Sequence, residues 1–388
     1  MVAAARFEFA TAGRIVFGEG AAGEAVPAIS AMGRHVLLVT GAGTGRAAQL
    51  RRALEAAGVT VAPFRVSGEP SIATIAAGAA CARAEGCDAV VAVGGGSAID
   101  AGKALAAMLT NPGEPLDYLE VVGRGQPLRW TPAPFIALPT TAGTGSEVTR
   151  NAVLAVPERG VKASLRSSHL LPRLAVVDPE LTLGLSQALT AATGLDALTQ
   201  LIEPYVSVRA NPLTDLCAAD GLRTAADALP RAWEDGADRE ARRGMCWASL
   251  LGGLSLANAG LGAVHGFAAP VGGMFPAPHG AVCAALLAPA MAINVEALGR
   301  RAPDSRALKR YGEVARLLTG RPHAAAADGV EWVAALCRRF EIPPLRTYGV
   351  AAGDIPALAS RAAEASSMKG NPIALEREEL EEIIRRAI

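Results

Sequence analysis

The fold of this chain is decided by the stretch Asp88-Ala-Val-Val-Ala-Val-Gly-Gly-Gly-Ser-Ala-Ile-Asp100. Its apolar, β-branched first part predicts a buried strand, and the glycines lead into a helix. Glycines at such a turn let a diphosphate approach the backbone, and the free N–H groups at the helix start favour its negative charge. The stretch lacks the G-x-G-x-x-G pattern, so alone it is equally consistent with a plain tight turn.

Short β-rich runs and helical runs alternate on both sides of this stretch, up to about Asp178. The alternation predicts a parallel sheet wrapped by helices. Strands are predicted at 35–40, 59–66, 88–93 and 135–139, helices at 48–57, 72–85 and 98–110, and a hairpin at 6–10 and 14–17.

Almost no β-branched run follows Asp178-Pro179, and Ala- and Leu-rich segments of helical period take over. Helices are predicted at 186–208, 212–229, 238–259, 264–274, 280–294, 306–318, 329–340, 351–363 and from about 375. We therefore predict an α/β N-terminal dinucleotide-binding domain, residues 1–182, and an all-α C-terminal domain, residues 183–388. Ligands usually bind between such domains, so an interdomain cleft is the expected site.

Charge and cysteine content limit the possible partners and compartment. The 37 basic and 37 acidic residues cancel, so we expect a small-molecule substrate and neither nucleic acid nor membrane as partner. The six scattered cysteines are typical of reduced thiols in the cytoplasm. Arg6 and Glu8 interrupt any apolar signal region, so export is not expected. Residues 244–295 contain no Asp, Glu, Lys or Arg, but repeated Gly and Pro predict several short buried helices there.

A second polar loop, Pro139-Thr-Thr-Ala-Gly-Thr-Gly-Ser-Glu-Val-Thr149, also follows a predicted strand. Two such loops at strand ends favour a dinucleotide as ligand. The helix around Thr193-Gly-Leu-Asp196 offers a different chemistry, because Asp196 and Gln200 lie four residues apart on one apolar helix face. A buried carboxylate needs a counter-charge or a metal, and His265 and His279 are the candidate partners.

Together these motifs resemble the iron-containing (group III) alcohol dehydrogenases. The resemblance rests on Gly94-Gly-Gly-Ser97 with Asp100 and Lys103, on 139–147, on Asp178-Pro179, on 193–199, on Leu261-Gly-Ala-Val-His265, on Pro278-His-Gly280 and on Asn371-Pro372. It spans nearly the whole chain. It implies the dehydroquinate-synthase-like fold of that family, NAD(P)-dependent interconversion of alcohol and carbonyl compounds, and a homodimer or larger homo-oligomer.

The resemblance also implies roles for individual residues. The cofactor-binding residues would be Gly94, Gly95, Gly96, Ser97, Asp100, Thr140, Thr141, Thr144, Ser146 and Lys162. Of these, Gly95, Gly96 and Ser97 would hold the diphosphate, and Asp100 would lie near the nicotinamide. For Lys162 a solvated surface cation is the equal alternative.

The position after the 35–40 strand bears on the choice of cofactor. NAD-preferring relatives often carry an acidic residue there, whereas this chain has Gly41. Without that carboxylate a 2′-phosphate is not repelled, so we expect NADP to be accepted and preferred, with Thr44 and Arg46 as phosphate contacts.

The metal site implied by the resemblance would hold Fe²⁺ or Zn²⁺ on one Asp and three His. This chain keeps Asp196, His265 and His279, which we predict to be catalytic, but has Gln200 where the remaining histidine stands. A neutral carbonyl is a weaker donor than imidazole, so a weakened or absent metal is expected. Ala269 replaces a histidine thought to relay protons, so proton release would need water, a ribose hydroxyl or another group.

Simpler interpretations apply to the remaining candidates. His35, His169 and His323 are interpreted as structural or surface residues. Glu203 is interpreted as a solvent-facing carboxylate at a helix end, the alternative being a residue that supports the metal ligands. Cys217, Cys246 and Cys283 are interpreted as small core residues without a nearby base. The alternatives to an alcohol dehydrogenase are a metal-independent maleylacetate-type reductase, a dehydroquinate-synthase-like lyase and a catalytically impaired nucleotide-binding relative.

Overall fold

A computed structural model describes residues 6–41, 43 and 45–388 of the chain. The strands in it are β1 (Ile15–Phe17), β2 (His35–Thr40), β3 (Thr60–Arg65), β4 (Ala89–Gly94), β5 (Phe135–Pro139), β6 (Asn151–Val156), β7 (Val161–Arg166) and β8 (Leu174–Val177). The helices are α1 (Ala21–Glu24), α2 (Val26–Met32), α3 (Gly45–Ala56), α4 (Ile72–Ala84), α5 (Gly96–Thr110), α6 (Pro115–Tyr118), α7 (Gln187–Val206), α8 (Pro212–Glu234), α9 (Arg239–Ala259), α10 (Ala263–Met274), α11 (His279–Arg301), α12 (Arg306–Thr319), α13 (Ala326–Arg339), α14 (Ile355–Glu364) and α15 (Arg377–Ala387).

The described chain divides into two compact units. One comprises 11–141 and 145–183 and contains every strand, and the other consists mainly of 184–388 and is helical. Residues 142–144 and the segment up to Ala10 group with the helical unit. The fold class is therefore confirmed: a parallel α/β unit precedes an all-helical one.

The α/β unit is built on a six-stranded sheet in the order β1-β8-β5-β4-β2-β3, and every neighbouring pair is parallel. From β2 the chain passes to β3 on one side and then to β4 on the other. The strand order thus reverses between β2 and β4, and ligands of open α/β sheets bind at such a point, beyond the carboxyl ends of the strands.

Alternate residues of the central strands build two cores, one on each face of the sheet. Leu37 and Val39 of β2 join a core with α4 and α5, whereas Val36 and Leu38 join one with α2 and α3. This continuous apolar character is what a parallel strand covered on both faces requires. All four strands predicted at 35–40, 59–66, 88–93 and 135–139 are found, as β2 to β5, although β3 lies at the edge of the sheet and is only partly buried.

The helical unit is organised around α7, which packs against α8, α9 and α11. Most of α7 is buried, including the polar residues Asp196, Thr199, Gln200 and Glu203. A polar stripe inside a buried helix needs partners from the neighbouring helices. Those partners form the site described below.

The predicted hairpin at 6–17 is wrong. Residues 6–14 form no strand, and β1 pairs in parallel with β8 as an edge strand of the main sheet. The backbone of Ala10 is instead held by the Asn258 side chain, which accepts from its N–H at 2.7 Å and donates to its carbonyl at 3.0 Å. A side-chain amide thus satisfies the groups that a hairpin partner would have paired.

The region without Asp, Glu, Lys or Arg, residues 244–295, also differs in part from the prediction. Its last part, from His279 onwards, lies in one 23-residue helix, α11, which is apolar and long enough to cross a membrane, although 67% of the most apolar part of this helix is buried in the protein. Helices α9 and α10 are bent by 97° at the break between them. The antiparallel pair β6–β7 has no counterpart in the sequence prediction.

Candidate active site

The predicted dinucleotide loops meet at the carboxyl edge of the sheet. Gly94 ends β4 and lies opposite Pro139 at the end of β5, and the Thr140 N–H donates to the Gly94 carbonyl at 2.9 Å. A Cβ on Gly94 would lie 2.5 Å from the Ala98 Cβ and 3.3 Å from the backbone nitrogen of Gly41. The loops after β2, β4 and β5 therefore approach one another at the point where the strand order reverses.

Helix α5 begins at this edge with the other residues of the glycine cluster. Gly95 occupies the N-cap position with extended backbone, Gly96 and Ser97 form the first turn, and no described side chain caps the helix. A Cβ on Gly95 would come within 3.3 Å of the Thr141 hydroxyl. Uncapped N–H groups beside a close backbone approach suit a diphosphate.

Asp100, in the first part of α5, is held by several hydrogen bonds. Its carboxylate accepts hydrogen bonds from the Ser146 hydroxyl and, at 3.0 Å, from the Val153 N–H. Lys103, which is fully buried, donates to Ser146 and Thr149 at 2.8 Å each. These bonds tie α5 to the segment that follows β5, so Asp100 and Ser146 help to fix the loop's position.

The remaining predicted cofactor residues lie on other elements of the chain. Lys162 on β7 is 8% exposed at its side chain and pairs with Glu69 at 2.6 Å, so it is not a solvated surface cation. Thr144 groups with the helical unit, unlike Thr140 and Thr141. Thr44 lies outside the described residues. Arg46, in the first turn of α3, donates to the Leu183 carbonyl at 2.9 Å.

The helical unit brings four potential metal donors together. Asp196 of α7, His265 of α10, and His279 and Cys283 of α11 each offer one ligand atom, and these atoms all lie within 4.8 Å of one another. Asp196, His265 and Cys283 are buried, whereas the His279 side chain is 39% exposed. The structure thus brings the three predicted catalytic residues together and adds a fourth that was not predicted to take part.

Unsatisfied polar atoms show that this cluster fits a cation. Among the described residues, Asp196 Oδ1 and Gln200 Oε1 are buried without a hydrogen-bond partner. The nearest imidazole nitrogens, Nε2 of His265 and of His279, lie 3.4 and 3.8 Å from Asp196 Oδ1. Buried carboxylate oxygens are rarely left unpaired, so oxygen, nitrogen and sulfur donors around one point indicate a divalent transition metal.

Glu203 positions His265, contrary to its interpretation as a solvent-facing carboxylate. It is 7% exposed, and its Oε2 lies 2.7 Å from His265 Nδ1 while its Oε1 accepts from the Val264 N–H at 2.7 Å. Asn371 accepts from the neighbouring Ala263 N–H at 3.1 Å. A carboxylate on Nδ1 fixes the imidazole tautomer and leaves Nε2 free to bind a metal.

A close helix contact positions His279. A Cβ on Gly280 would lie 2.9 Å from the Ala192 carbonyl oxygen of α7. Only glycine permits this approach, which brings the first turn of α11 against the helix that carries Asp196. Cys283 follows His279 by four residues, so both side chains lie on the same face of α11.

The electrostatics of the cluster favour added positive charge. Burial raises the pKa of Asp196, but His279 and His265 more than offset it and hold the pKa below its ordinary value. Burial lowers the pKa of His265, whereas Cys283, Asp196 and Glu203 raise it well above its ordinary value. The interaction with Cys283 is the main cause that raises the pKa of His279 to about 9, against the lowering effect of burial. These directions show that the acidic groups attract positive charge to this point, which a proton on an imidazole or a bound metal cation can supply.

The interpretation of Cys283 as a core residue without a nearby base is wrong. Its Sγ lies 3.6 Å from His279 Nε2 and 3.9 Å from His265 Nε2. The His-x-x-x-Cys spacing at the start of the helix predicted for 280–294 was the available signal. Gln200 is buried beside Asp196, and Ala269 is exposed on α10. His35, His169 and His323 are exposed.

Glycine-rich loops at the carboxyl edge of a parallel sheet suit a dinucleotide, and clustered Asp and His donors suit a metal ion, so the chain has the features of an enzyme that uses both. The chain matches the family description "Iron-containing alcohol dehydrogenase" over residues 12–179 and its C-terminal counterpart, "Fe-containing alcohol dehydrogenase family, C-terminal", over residues 190–388. The chain belongs to the iron-containing alcohol dehydrogenase family. It is an alcohol dehydrogenase, and the family implies NAD(H) and a metal as cofactors.

Individual relatives cover almost all of the chain. It is 37% identical to alcohol dehydrogenase 4 of Saccharomyces cerevisiae over 377 residues, which are 96% of each protein. It is 34% identical to the NAD-dependent methanol dehydrogenase of Bacillus methanolicus, covering 96% of this chain and 97% of the relative. Among solved structures, 1,3-propanediol oxidoreductase superposes with a TM-score of 0.90 at 34% identity, covering 99% of this chain and 100% of the other.

Proposed function

We propose that this protein interconverts a small alcohol and the corresponding aldehyde or ketone, with a divalent cation held by Asp196, His265 and His279. The observation that carries the proposal is the buried Asp196 Oδ1, which has no hydrogen-bond partner in the described chain and faces two imidazole nitrogens. Such an arrangement is costly without a cation.

The chemistry divides between the cofactors and the chain. A bound cation supplies Lewis-acid polarisation of the substrate oxygen, and the nicotinamide supplies hydride transfer. The chain's residues hold and orient these groups: Glu203 fixes the His265 ring, and Gly280 lets α11 approach α7. The part-exposed His279 marks the side from which substrate can approach.

For the nucleotide, NADP is proposed as an accepted and preferred cofactor. Position 41 at the end of β2 is glycine, and the first turn of α3 contains no acidic residue but does contain Arg46. The absence of a carboxylate removes repulsion of a 2′-phosphate, and a basic side chain adds attraction. The Bacillus relative is NAD-dependent by name, so this preference would distinguish the two proteins.

The remaining proposals concern the protein's setting. Equal numbers of acidic and basic residues support a small-molecule substrate and give no support for nucleic acid or a membrane surface as a partner. Six cysteines without a regular spacing support a cytoplasmic location. A homodimer or larger homo-oligomer is proposed from the family resemblance.

The alternative functions fit less well. A metal-independent maleylacetate-type reductase or an impaired relative would not require the four clustered donors. Both domain matches and the relatives described above favour an alcohol dehydrogenase over a dehydroquinate-synthase-like lyase. Gln200 alone therefore does not mark a loss of activity.

The test combines metal analysis with turnover. The purified protein is reconstituted separately with Fe²⁺ and Zn²⁺, freed of excess metal, and assayed with short-chain alcohols and aldehydes by the absorbance of the reduced nicotinamide, using NAD and NADP in parallel. We expect about one metal per chain and turnover that chelation abolishes and metal restores. Full activity in verified metal-free protein would reject the metal's role, and no turnover with any substrate would reject the function.

A further inference from the structure

We propose that the Cys283 thiolate is a fourth protein ligand of the metal, completing a donor set of one carboxylate, two imidazoles and one sulfur. This inference rests on the proposed metal-dependent function and concerns a residue that the family's one-Asp, three-His pattern does not include.

The geometry places the sulfur inside the cluster. The Cys283 Sγ is 3.6 Å from His279 Nε2 and 3.9 Å from His265 Nε2. It also lies within 4.8 Å of the Asp196 carboxylate oxygen. Donor atoms bound to one zinc at about 2.0–2.3 Å lie roughly 3–4 Å apart, so these separations match atoms surrounding one metal. A cysteine that only filled space in the core would not need to lie beside three other potential metal donors.

A second observation points to a ligand independently of the cysteine. Asp196 Oδ1 and Gln200 Oε1 are both buried without a hydrogen-bond partner among the described residues. Asp196 and Gln200 are 1% and 2% exposed. Because unpaired buried oxygens are costly, the cluster is arranged for an additional positively charged group.

The sulfur compensates for a specific loss. Gln200 stands where the family resemblance implies a third imidazole, and its neutral amide is the weaker donor. Cys283 supplies an anionic donor from α11 instead, one helical turn beyond His279. The number of strong protein donors is thus restored to four, with a different helix contributing the fourth.

A thiolate ligand has consequences for metal preference. Cysteine binds metals as the thiolate, so its proton is released to solvent when the metal enters. Thiolates favour Zn²⁺ and Fe²⁺ over Mg²⁺ and Mn²⁺. The site should therefore discriminate against hard cations more strongly than an Asp and His set alone.

The primary experiment uses the wild-type protein loaded with Zn²⁺ and examined by X-ray absorption at the zinc edge. We expect one sulfur scatterer at about 2.3 Å, together with nitrogen and oxygen scatterers at about 2.0–2.2 Å. In parallel, the Co²⁺-loaded protein should show a near-ultraviolet sulfur-to-cobalt charge-transfer band. Both measurements use the wild-type protein, so neither requires enzymatic activity or a correctly folded variant.

Two variants and a matched control assign the sulfur. In Cys283→Ser and Cys283→Ala the sulfur scatterer and the charge-transfer band should be lost, and Zn²⁺ affinity should fall on the order of tenfold or more. Cys337→Ser is the control, since its Sγ donates to the Ala284 carbonyl at 3.6 Å and lies outside the donor cluster. That variant should retain both signals.

Several outcomes would overturn the proposal. A zinc site in wild-type protein with nitrogen and oxygen scatterers only rejects it, and so does a charge-transfer band that survives in Cys283→Ala. If such a sulfur-free site still supports chelator-sensitive turnover, the proposed function stands and only the thiolate ligand is rejected. If reconstituted wild-type protein binds no metal, both fail.

Discussion

His265 Nδ1 and Glu203 Oε2 lie 2.7 Å apart, and both side chains are less than 9% exposed. The contact joins α7 to α10 across 62 residues of sequence and directs the opposite ring nitrogen towards Asp196. Its function is to hold the imidazole in one tautomer and one orientation.

The first prediction concerns this contact. Glu203→Gln keeps the side-chain size but replaces the anion by a neutral amide, so His265 should be less firmly oriented and less basic. We expect metal affinity to fall about 10–100-fold, measured by competition with a chromogenic chelator. Glu313→Gln is the control, because Glu313 accepts from the Tyr205 hydroxyl outside the donor cluster. Unchanged affinity in Glu203→Gln would contradict the positioning role.

A second prediction uses two glycines of α11 as a matched pair. Gly280→Ala places a Cβ 2.9 Å from the Ala192 carbonyl oxygen, so α11 must shift away from α7. We expect a loss of about 1–3 kcal/mol in unfolding free energy together with weaker metal binding. Gly299→Ala meets no described atom within 4 Å and should be neutral or stabilising by up to about 1 kcal/mol. Urea denaturation measures the unfolding free energy of both variants. Equal changes in unfolding free energy for Gly280→Ala and Gly299→Ala would argue against the close contact between α11 and α7.

The third prediction tests the basis of cofactor choice. Gly41→Asp introduces a carboxylate at the end of β2, where it would repel a 2′-phosphate and accept bonds from ribose hydroxyls. The ratio of kcat/KM for NADP to that for NAD should fall on the order of tenfold or more. Ala57→Asp adds the same charge just beyond the other end of α3 and should leave the ratio unchanged. A wild-type enzyme that strongly prefers NAD would reject the NADP proposal outright.

The fourth prediction concerns the pH dependence of stability. Burial raises the pKa of Glu147 from about 4.5 to about 7, against the opposing influence of Lys103. The folded state therefore binds more protons than the unfolded state between these values, so stability falls as pH rises from 4.5 to 7. The loss attributable to Glu147 is on the order of 3 kcal/mol.

Glu147→Gln should flatten this part of the profile, because the amide does not titrate. Burial also lowers the pKa of Lys103 to about 8, despite the raising influence of Asp100 and Glu147, so its own contribution to stability rises with pH between 8 and 10.5. The pH range in which Glu147 affects stability, about 4.5 to 7, does not overlap with the range for Lys103, about 8 to 10.5. Unfolding is followed from pH 4.5 to 7.5, with the exposed Glu158→Gln as control. A parallel slope in Glu147→Gln and wild type would refute the assignment.

The main sheet was predictable because its strands have a strong local signal. Residues 36–39 within strand β2 are apolar without interruption, as a strand buried on both faces must be, and Gly41 follows the strand at once. Strands β6 and β7 are harder to recognise, since each is only partly buried and they pair with one another outside the main sheet. Strand β1 has three residues, and its partner β8 is about 160 residues away.

The metal donors were predictable to different extents. Asp196, His265 and His279 stand out as rare polar groups in apolar helices, and the family pattern includes all three. Glu203 was misjudged because its burial depends on α10, whose start is packed against it by Gly262 and Asn371. Cys283 carried a helical-spacing signal, but a cysteine in an apolar helix is usually a core residue.

The one-turn separation of His279 and Cys283 also limits how this protein can evolve. Inserting or deleting one residue between them would rotate the second side chain by about 100° and separate two donors that now face the same point. Substitutions on the exposed side of α11 carry no such penalty. The register of this turn should therefore be inherited unchanged among descendants that retain the metal, even where most of the helix surface has diverged.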